Sequence, residues 1–317
     1  LPPEDDPNLF DSLDLGKRVA HKIADVRARD TVVDTLRSVR PDVVFHLAAQ
    51  SRVRQSYRSP IETFETNVMG TVNLLDAVRR VDGVRVVVNV TSDKCYENRE
   101  WEWGYREGEP LGGHDPYASS KACSELVTSA YRRSFFADPD GPRIATARAG
   151  NVIGGGDWGE DRLVADLTRA AAAGSELRVR NPSSIRPWQH VLNPLSGYLL
   201  LAEALWDEPA HAGAWNFGPA ADDCWPVSEI VGRLSAHWPG KLRWATDPGP
   251  HPHEAHSLRL DSSRARQRLG WRPSVGLDDA LESVAGWHGA LAAGADMRAV
   301  TLGQIDGLPQ TAWSPRR

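Results

Sequence analysis

Residues 86–121 carry the strongest structural and chemical signal of the sequence. The stretch begins Val86-Val87-Val88-Asn89-Val90-Thr91-Ser92-Asp93-Lys94-Cys95-Tyr96 and ends Tyr117-Ala118-Ser119-Ser120-Lys121. Its apolar, β-branched start predicts a strand that is buried on both faces, as in a parallel sheet. Ligands of open α/β sheets bind beyond the carboxyl ends of the strands. The polar residues that follow this strand, together with the Tyr and Lys one helical turn apart, therefore form a candidate active site.

Strands and helices alternate on both sides of this stretch. We predict strands at 19–25, 43–50, 86–90 and 144–148, and helices at 31–39, 66–81 and 117–136. Clusters of Pro, Asp and Gly, as at 40–42 and 138–142, separate these elements. The alternation predicts a doubly wound α/β domain with a parallel sheet and right-handed crossovers. The first fifteen residues are acidic and contain Pro, and they predict a loop.

The alternation weakens beyond about residue 155, where Trp, Pro and Arg accumulate. Helices are predicted at 163–173, 195–205, 229–237 and 278–291, and a strand at 214–218. We therefore expect the doubly wound domain to occupy 1–155, with 195–218 returning to it. A smaller, mixed α/β, substrate-binding region is expected over 156–194 and 219–317.

The composition is that of a soluble globular protein. The chain has 317 residues, of which 41% are hydrophobic and 25% charged. Its net charge of -5 gives no electrostatic reason to expect binding to nucleic acid or to an anionic membrane. The three cysteines are scattered and lack metal-ligand spacing, which favours a reducing cytoplasm. No apolar run is long enough to span a bilayer, and the first residues do not resemble a signal peptide.

One expected feature is missing from the sequence. A dinucleotide-binding sheet opens with a strand, a Gly-rich turn and a helix whose N-terminus holds the pyrophosphate. Nothing before Val19 supplies this turn, and Gly154-Gly155-Gly156 follows a late strand and precedes Asp157 rather than a helix. We expect the first βα unit to be absent from this sequence. The alternative is a chain that does not hold a dinucleotide in the usual way.

Tyr117 and Lys121 have the spacing of an alcohol-oxidising pair. A tyrosine is neutral at pH 7 because its unperturbed pKa is about 10. A lysine one turn away lies on the same helix face, and its charge favours the phenolate. A hydroxyl from Ser92 or Thr91 can orient a substrate alcohol, whose proton the tyrosine removes while a nicotinamide accepts the hydride. Taken alone, Tyr-x-x-x-Lys also fits an ordinary solvated helix start.

Several further segments share the pattern of one family. They are His46-Leu47-Ala48-Ala49-Gln50, Asn67-Val68-Met69-Gly70-Thr71, Asn89-Val90-Thr91-Ser92-Asp93-Lys94-Cys95-Tyr96-Glu97-Asn98, Gly112-Gly113-His114-Asp115-Pro116-Tyr117, Gly154-Gly155-Gly156-Asp157-Trp158 and Arg186-Pro187-Trp188-Gln189-His190-Val191. On these residues the sequence resembles the extended short-chain dehydrogenase/reductases and, among them, the CDP-glucose 4,6-dehydratases. The resemblance runs nearly end to end, and residues 91–98 are its most specific part. It implies a Rossmann-like first domain that binds NAD and a second region that binds a nucleotide sugar.

The resemblance implies a three-step reaction on a hexose: oxidation at C4, loss of water between C5 and C6, and hydride return to C6. Tyr117 takes the C4 hydroxyl proton, with Lys121 and Ser92 assisting. Lys94 then removes the C5 proton as a neutral amine, and Asp93 as an acid helps the C6 hydroxyl to leave. The related dTDP-glucose dehydratases have Asp-Glu at this position. The Asp-Lys pair therefore indicates the CDP-glucose branch.

The resemblance also assigns binding residues. The expected cofactor contacts are Asp25, Val26, Leu47, Ala48, Ala49, Gln50, Asn67, Thr91, Tyr117 and Lys121. The expected substrate contacts are Asn151, Asp157, Arg162, Arg186, His190 and Arg259, with the arginines suited to a diphosphate. Plainer interpretations remain open: Asp93 and Lys94 as a surface ion pair, Asn67 as a helix N-cap, and any single arginine as a solvated charge.

Three functional classes compete at this point. A nucleotide-sugar 4,6-dehydratase uses all five residues Ser92, Asp93, Lys94, Tyr117 and Lys121, whereas an epimerase or reductase needs no Asp93–Lys94 pair. A catalytically silent relative that binds nucleotide or a protein partner is favoured only by the missing Gly-rich turn. The helices at 66–81 and 117–136 resemble those that pair across a two-fold axis, which favours a homodimer or homotetramer. The Ala-, Arg- and Gly-rich composition indicates a GC-rich bacterial source and deoxysugar metabolism.

Overall fold

The protein is described here by a computed structural model that covers residues 6–238 and 242–313. The α-helices are α1 (Leu9–Ser12), α2 (Arg29–Val39), α3 (Val53–Arg58), α4 (Pro60–Phe64), α5 (Gly70–Arg80), α6 (Pro116–Ser134), α7 (Leu163–Ala172), α8 (Leu192–Asp207), α9 (Val227–His237), α10 (Ser263–Arg268), α11 (Leu277–Ala292) and α12 (Met297–Asp306). The strands are β1 (Val43–His46), β2 (Val86–Val90), β3 (Arg143–Ala149), β4 (Asn151–Ile153), β5 (Glu176–Val179), β6 (Ile185–His190), β7 (Gly213–Phe217), β8 (Cys224–Pro226) and β9 (Arg243–Thr246). Within the described ranges, no helix is both long and apolar enough to cross a membrane.

A four-stranded parallel sheet in the order β1-β2-β3-β7 forms the centre of the fold. Val86 of β2 lies beside Val43 on one side and Arg143 on the other, so β2 is an interior strand. Ala145 of β3 pairs with Gly213, which brings β7 back to the sheet from some 60 residues further along the chain. The Rossmann-like α/β fold expected from the alternation is confirmed.

Helices cover the two faces of this sheet, and the alternation along β2 decides which residue faces which layer. Val87 packs with Val33 of α2 and Leu75 of α5 on one face. Val86 and Val88 instead join a cluster with side chains from α8 and β7 and with Trp271. All three valines are fully buried. A strand between two helical layers has no side that faces solvent, so successive residues are apolar rather than alternating with polar ones.

The rest of the chain adds two small sheets and a second core. Strand β6 pairs in parallel with β4 and antiparallel with β8, and β5 pairs in parallel with β9. Helices α7, α9 and α11 pack on these strands around Trp188, Ile230 and Leu281. The same strand β6 thus belongs to this second core while its neighbour β4 continues directly from β3 of the first.

The structure corrects four expectations about local elements. Residues 19–25 do not form a strand: Val19 and Ile23 are exposed and no ladder joins them within the described chain. The loop expected over the first fifteen residues, of which 1–5 lie outside the described residues, contains α1, capped by Asn8. Strand β1 ends at His46, so 47–50 are irregular. The helix expected at 66–81 begins with a π-helical turn, Glu65–Met69.

Candidate active site

A cleft of about 1320 Å³ opens at the carboxyl edge of the parallel sheet. Its walls come from the turn after β2, the start of α6, the end of β3, and the second core. Ser92, Asp93, Lys94 and Tyr117 line it together, although residues 92–94 and Tyr117 belong to different elements. The polar residues expected to meet at this edge are therefore brought together.

The turn after β2 presents an acid and an amine side by side. Ser92 caps a 3₁₀ turn, Asp93–Cys95, and its Oγ accepts a hydrogen bond from the Lys94 backbone N at 3.2 Å. The same hydroxyl donates to Asp93 Oδ1 at 3.1 Å. Asp93 is 1% exposed, and its Oδ2 has no hydrogen-bond partner among the described residues. Lys94 Nζ lies 3.8 Å from Asp93 Oδ1, and its side chain remains accessible from the cleft.

Helix α6 brings Tyr117 and Lys121 under this turn. The helix starts at Pro116, and the Asp115 side chain caps it by accepting from the Ala118 N at 2.9 Å. Burial raises the pKa of Tyr117 to about 12, and hydrogen bonding with the Ser92 side chain opposes this rise. Burial lowers the pKa of Lys121 to about 8, and its Nζ donates to the Val90 carbonyl at 3.4 Å. At neutral pH the tyrosine thus holds its proton, while the lysine is close to losing one.

The residues expected around a cofactor lie along the end of β1 and the loop before α2. Asn67 holds the backbone of Gln50 with two bonds: its Oδ1 accepts from Gln50 N at 2.8 Å and its Nδ2 donates to Gln50 O at 2.9 Å. The Asn67 Nδ2 also donates to Ser120 Oγ at 2.8 Å, which ties this loop to α6. Leu47 is 52% exposed and Ala48 is also exposed, so both are accessible to a ligand.

The segment with Asp25 and Val26 is fixed from two sides. The Asp25 carboxylate is bonded by Arg27, whose side chain lowers the Asp25 pKa. Asn73 of α5 donates to the carbonyls of Val26 and Arg27, both at 3.0 Å. A Cβ on Gly70 would lie 2.7 Å from a Val26 methyl carbon, so α5 approaches this segment as closely as a glycine allows. Thr91, the remaining cofactor candidate, lines the cleft and donates to Glu125.

Four of the six expected substrate residues line the cleft: Asn151, Asp157, Arg162 and Arg186. The Asn151 Oδ1 is buried and has no partner within the described chain, which leaves it available to a ligand. Arg162 is anchored by Asp157 at 2.8 Å and by Ser51 at 3.0 Å. Arg186 donates to the carbonyls of residues 185, 255 and 256, so it also ties down the segment that closes this side of the cleft.

The other two, His190 and Arg259, are not among the residues that line the cleft. His190 is 3% exposed, its Nδ1 accepts from Leu192 N at 3.2 Å, and its Nε2 lies 3.4 Å from the Ser283 hydroxyl. Burial lowers the His190 pKa to about 4, so the ring is neutral in the core. Neither residue contributes to the cleft wall, although both are close in sequence to residues that do.

Five arginines of the cleft wall were missed from the sequence: Arg52, Arg54, Arg99, Arg178 and Arg180. Asp161 accepts from Arg54 of α3 and from Arg180, both at 3.0 Å, and so links the two sides of the cleft. The period of two along β5 was the available signal, because it places Arg178 and Arg180 on the same side of the chain. No local pattern indicates the contact between Arg54 and Asp161.

Known proteins that are similar to this chain include sugar-nucleotide dehydratases. The family described as GDP-mannose 4,6 dehydratase matches residues 8–211. A curated CDP-glucose 4,6-dehydratase from Salmonella typhimurium is 49% identical over 296 residues, which are 92% of this chain and 82% of that protein. A dTDP-glucose 4,6-dehydratase from Streptomyces griseus is 31% identical, over 78% of this chain and 71% of that protein.

Solved structures show the same fold. A dTDP-glucose 4,6-dehydratase from Streptomyces venezuelae, solved with NAD bound, superposes with a TM-score of 0.72 at 25% identity, covering 86% of this chain and 80% of that one. A UDP-glucuronic acid 4-epimerase from Bacillus cereus gives 0.77 at 21% identity, over 89% of this chain and 85% of that one. The chain belongs to the GDP-mannose 4,6 dehydratase family, within the extended short-chain dehydrogenase/reductases.

Proposed function

We propose that this chain is an NAD-dependent nucleotide-sugar 4,6-dehydratase that converts CDP-glucose to CDP-4-keto-6-deoxyglucose. The observation that carries the proposal is the turn Ser92-Asp93-Lys94, which lines the same cleft as Tyr117. An alcohol oxidation and an elimination need different groups, and this cleft holds a set for each. The 49% identity to a CDP-glucose 4,6-dehydratase supports the choice of nucleotide sugar.

The residues at the end of β1 and on α6 fit NAD. Leu47 and Ala48 offer an open, uncharged wall, and the Asn67 bonds hold Gln50 beside it. Asp25 and Val26 would border the adenine end, and Lys121 and Thr91 the nicotinamide end. When bound, NAD supplies the hydride acceptor for C4 and the donor for C6. The protein itself must then move protons and hold the sugar.

Tyr117 and Ser92 perform the proton transfer of the oxidation step. The tyrosine removes the C4 hydroxyl proton, and Ser92 holds the same oxygen through a hydrogen bond. Burial raises the pKa of Tyr117 to about 12, so the phenolate that accepts the C4 hydroxyl proton forms only where a cation offsets this burial. Lys121, one turn further along α6, is the group placed to supply that charge.

Lys94 and Asp93 perform the elimination. A ketone at C4 acidifies the C5 proton, and the Lys94 amine removes it from the open side of the cleft. Asp93 is almost fully buried, and its Oδ2 is a buried oxygen without a hydrogen-bond partner among the described residues, so we assign that atom to assist the departing C6 hydroxyl. An epimerase needs no such acid and base, so this pair favours dehydration over the related epimerases.

The cleft wall supplies the substrate contacts. We assign Asn151 and Arg186 to the sugar diphosphate, with Arg162 and Asp157 beside them, because guanidinium groups bind phosphate oxygens in a fork. His190 and Arg259 are given no contact with the substrate. The two cores support a division in which the first binds the cofactor and the second the nucleotide sugar.

We further propose a homodimer in a reducing, cytoplasmic compartment. Large apolar side chains are exposed on α4, on the π-helical turn and on α6, where a second copy can cover them: Ile61, Phe64, Met69 and Leu126. All three cysteines are free. Light scattering on wild type and on Leu126→Glu tests the dimer, which is wrong if wild type is monomeric.

Mass spectrometry of the sugar nucleotide tests the function. The protein is incubated with NAD and either CDP-glucose or dTDP-glucose, as wild type, as Lys94→Ala and as Lys17→Ala. Lys17 is an exposed surface residue paired with Asp14, and its variant controls for the loss of one lysine. We expect loss of one water from CDP-glucose with wild type and Lys17→Ala, and none with Lys94→Ala.

Other outcomes would redirect the assignment. Water loss from dTDP-glucose alone keeps the mechanism and overturns the substrate. An isomer of unchanged mass moves the protein to the epimerases. No turnover of either sugar nucleotide by wild type, with NAD bound, leaves the silent relative as the correct interpretation.

A further inference from the structure

A buried ion pair lies directly beneath the catalytic turn. Glu125 of α6 and Arg148 of β3 have side chains that are only 4% and 3% exposed. Arg148 Nε and Nη2 donate to the two carboxylate oxygens of Glu125 at 2.9 and 2.8 Å. Burial raises the pKa of Glu125, but the hydrogen bonds and the charge of Arg148 outweigh it, and the net shift is downward. Both groups are therefore charged inside the protein.

This pair holds both ends of the turn that carries Ser92, Asp93 and Lys94. At the first end, Thr91 Oγ1 donates to Glu125 Oε1 at 2.5 Å. At the other end, Arg148 Nη1 donates to the Tyr96 hydroxyl at 2.8 Å, and the guanidinium lies 4.9 Å from the centre of that ring. The catalytic turn is thus bracketed by two bonds to one ion pair.

Further hydrogen bonds connect Tyr96, at the end of this turn, to neighbouring elements. The Tyr96 hydroxyl donates to Asn216 Oδ1 of β7 at 2.7 Å. The Asn216 Nδ2 then donates to the Tyr105 carbonyl at 2.8 Å. Glu125 also lies one turn beyond Lys121 on α6, so the helix that carries Tyr117 and Lys121 is bonded to the turn through the same carboxylate.

Stability is a poor explanation for this arrangement. A buried ion pair is weak support for a fold, because apolar residues of similar volume often serve equally well or better. Its demands on geometry are strict, since every bond fixes a donor and an acceptor in one direction. A device of this kind suits a site where two elements must keep a fixed relative position.

We propose that Glu125 and Arg148 are positioning residues that hold the Ser92-Asp93-Lys94 turn in register with Tyr117 on α6. The inference rests on the proposed dehydration, in which the two elements act in turn on one sugar ring. The ion pair keeps the elimination groups at C5 and C6 while Tyr117 remains at C4. Neither Glu125 nor Arg148 touches the substrate.

Two conservative variants separate positioning from general loss of a hydrogen bond. Tyr96→Phe removes the bond that ties the far end of the turn to Arg148 and keeps the ring. Thr146→Val removes a bond to the same Glu125 carboxylate, at 2.7 Å, but Thr146 lies inside β3 and does not touch the turn. Both changes delete one buried hydroxyl, but the Tyr96 hydroxyl also donates to Asn216, so Tyr96→Phe loses two bonds and Thr146→Val one. A purely structural role therefore predicts a larger loss of stability in Tyr96→Phe but no change in the C5 isotope effect of either variant.

We expect Tyr96→Phe to lower kcat by about tenfold or more with KM changed by less than about twofold, since a small misplacement of reacting groups costs up to about 100-fold. Thr146→Val should leave kcat within about twofold of wild type, because Arg148 still holds the same carboxylate oxygen. With CDP-glucose deuterated at C5, the isotope effect on kcat should grow in Tyr96→Phe and stay at the wild-type value in Thr146→Val. Equal kcat losses, or an unchanged C5 isotope effect in Tyr96→Phe, would overturn the proposal.

Amide hydrogen exchange gives a readout that is independent of turnover. Exchange of residues 91–96 should be faster in Tyr96→Phe than in Thr146→Val, whereas equal exchange would refute the bracket. Glu125→Gln provides a second variant and, if it folds, should show the same increased C5 isotope effect as Tyr96→Phe. Failure of the proposed function appears as no water loss by wild type, whereas failure of this inference leaves wild-type turnover intact.

Discussion

Gly150 connects β3 to β4, and adding one methyl group there should displace Asp93 and lower the rate of water loss. A Cβ at this position would lie 2.5 Å from Pro187 Cγ, 3.0 Å from the Pro187 carbonyl oxygen and 3.2 Å from Asp93 Oδ2. Carbon atoms in good contact are about 3.5–4.0 Å apart, so Gly150→Ala requires a movement of about 1 Å. We expect this movement to reach Asp93.

The surroundings decide which group moves. Pro187 lies in β6, is paired with Cys224 of β8, and has a ring that cannot rotate away. Overpacking of this kind costs about 1–3 kcal/mol of stability. The Asp93 side chain, which accepts one hydrogen bond from Ser92 and lies 3.8 Å from Lys94 Nζ, is the more movable neighbour. The contact at 3.2 Å displaces Asp93 Oδ2 by a few tenths of an ångström, and since a displacement of about 1 Å lowers the rate by about 100-fold, we expect kcat to fall by up to that factor.

The assay compares kcat for water loss and the unfolding free energy of Gly150→Ala with those of Gly232→Ala. Gly232 is exposed inside α9, where an added Cβ meets nothing within 4 Å. The control should gain stability by up to about 1 kcal/mol, because alanine is the better helix former, with kcat unchanged. A Gly150→Ala protein with wild-type kcat would refute the reasoning, as would equal effects on kcat in the two variants.

Two further predictions concern buried polar groups. Burial lowers the Lys121 pKa from 10.5 to about 8, so between these values the unfolded chain binds more protons and stability rises with pH. We therefore expect Lys121→Met to be inactive but more stable than wild type at pH 7, and this difference in stability should shrink as the pH rises through this window. Denaturant titrations of both proteins at pH 7 and 10 measure the difference. A difference that is the same at both pH values would contradict the prediction. Asn67→Asp keeps the acceptor for Gln50 N but loses both donated bonds, which should cost about 2 kcal/mol or more in the same titration. Wild-type stability of this variant would show that the Asn67 bonds do not hold the loop.

The strands were predictable wherever their signal is local. The runs at 86–90 and 144–148 are mostly apolar, with Asn89, Thr146 and Arg148 as buried exceptions, because each strand is covered on both faces. The segment 19–25 also contains apolar residues, but a strand needs a partner, and a partner is not a local property. The prediction of a strand there was therefore wrong.

The residues of the site, like the strands, could be predicted only where the signal is local in the sequence. Ser92, Asp93, Lys94, Tyr117 and Lys121 could be predicted to meet because parallel strand ends and the following helix share one edge of a sheet. The sequence did not reveal Glu125 and Arg148 as a pair, because their contact spans 23 residues and two elements. His190 shows the opposite failure: it follows Arg186 in the same strand, but α11 covers it through Ser283.

The order of strands in the sheet also constrains how the protein forms during synthesis. Strand β3 is bordered by β2 and by β7, and β7 is made only after β4, β5 and β6 have emerged. Trp271, later still, packs against Phe217 in the core under the sheet. A growing chain that has reached residue 155 thus holds a sheet with an open edge and an uncovered apolar face. Such an intermediate exposes aggregation-prone surface until roughly residue 270 has been added, so slow translation through this interval should increase its dependence on chaperones.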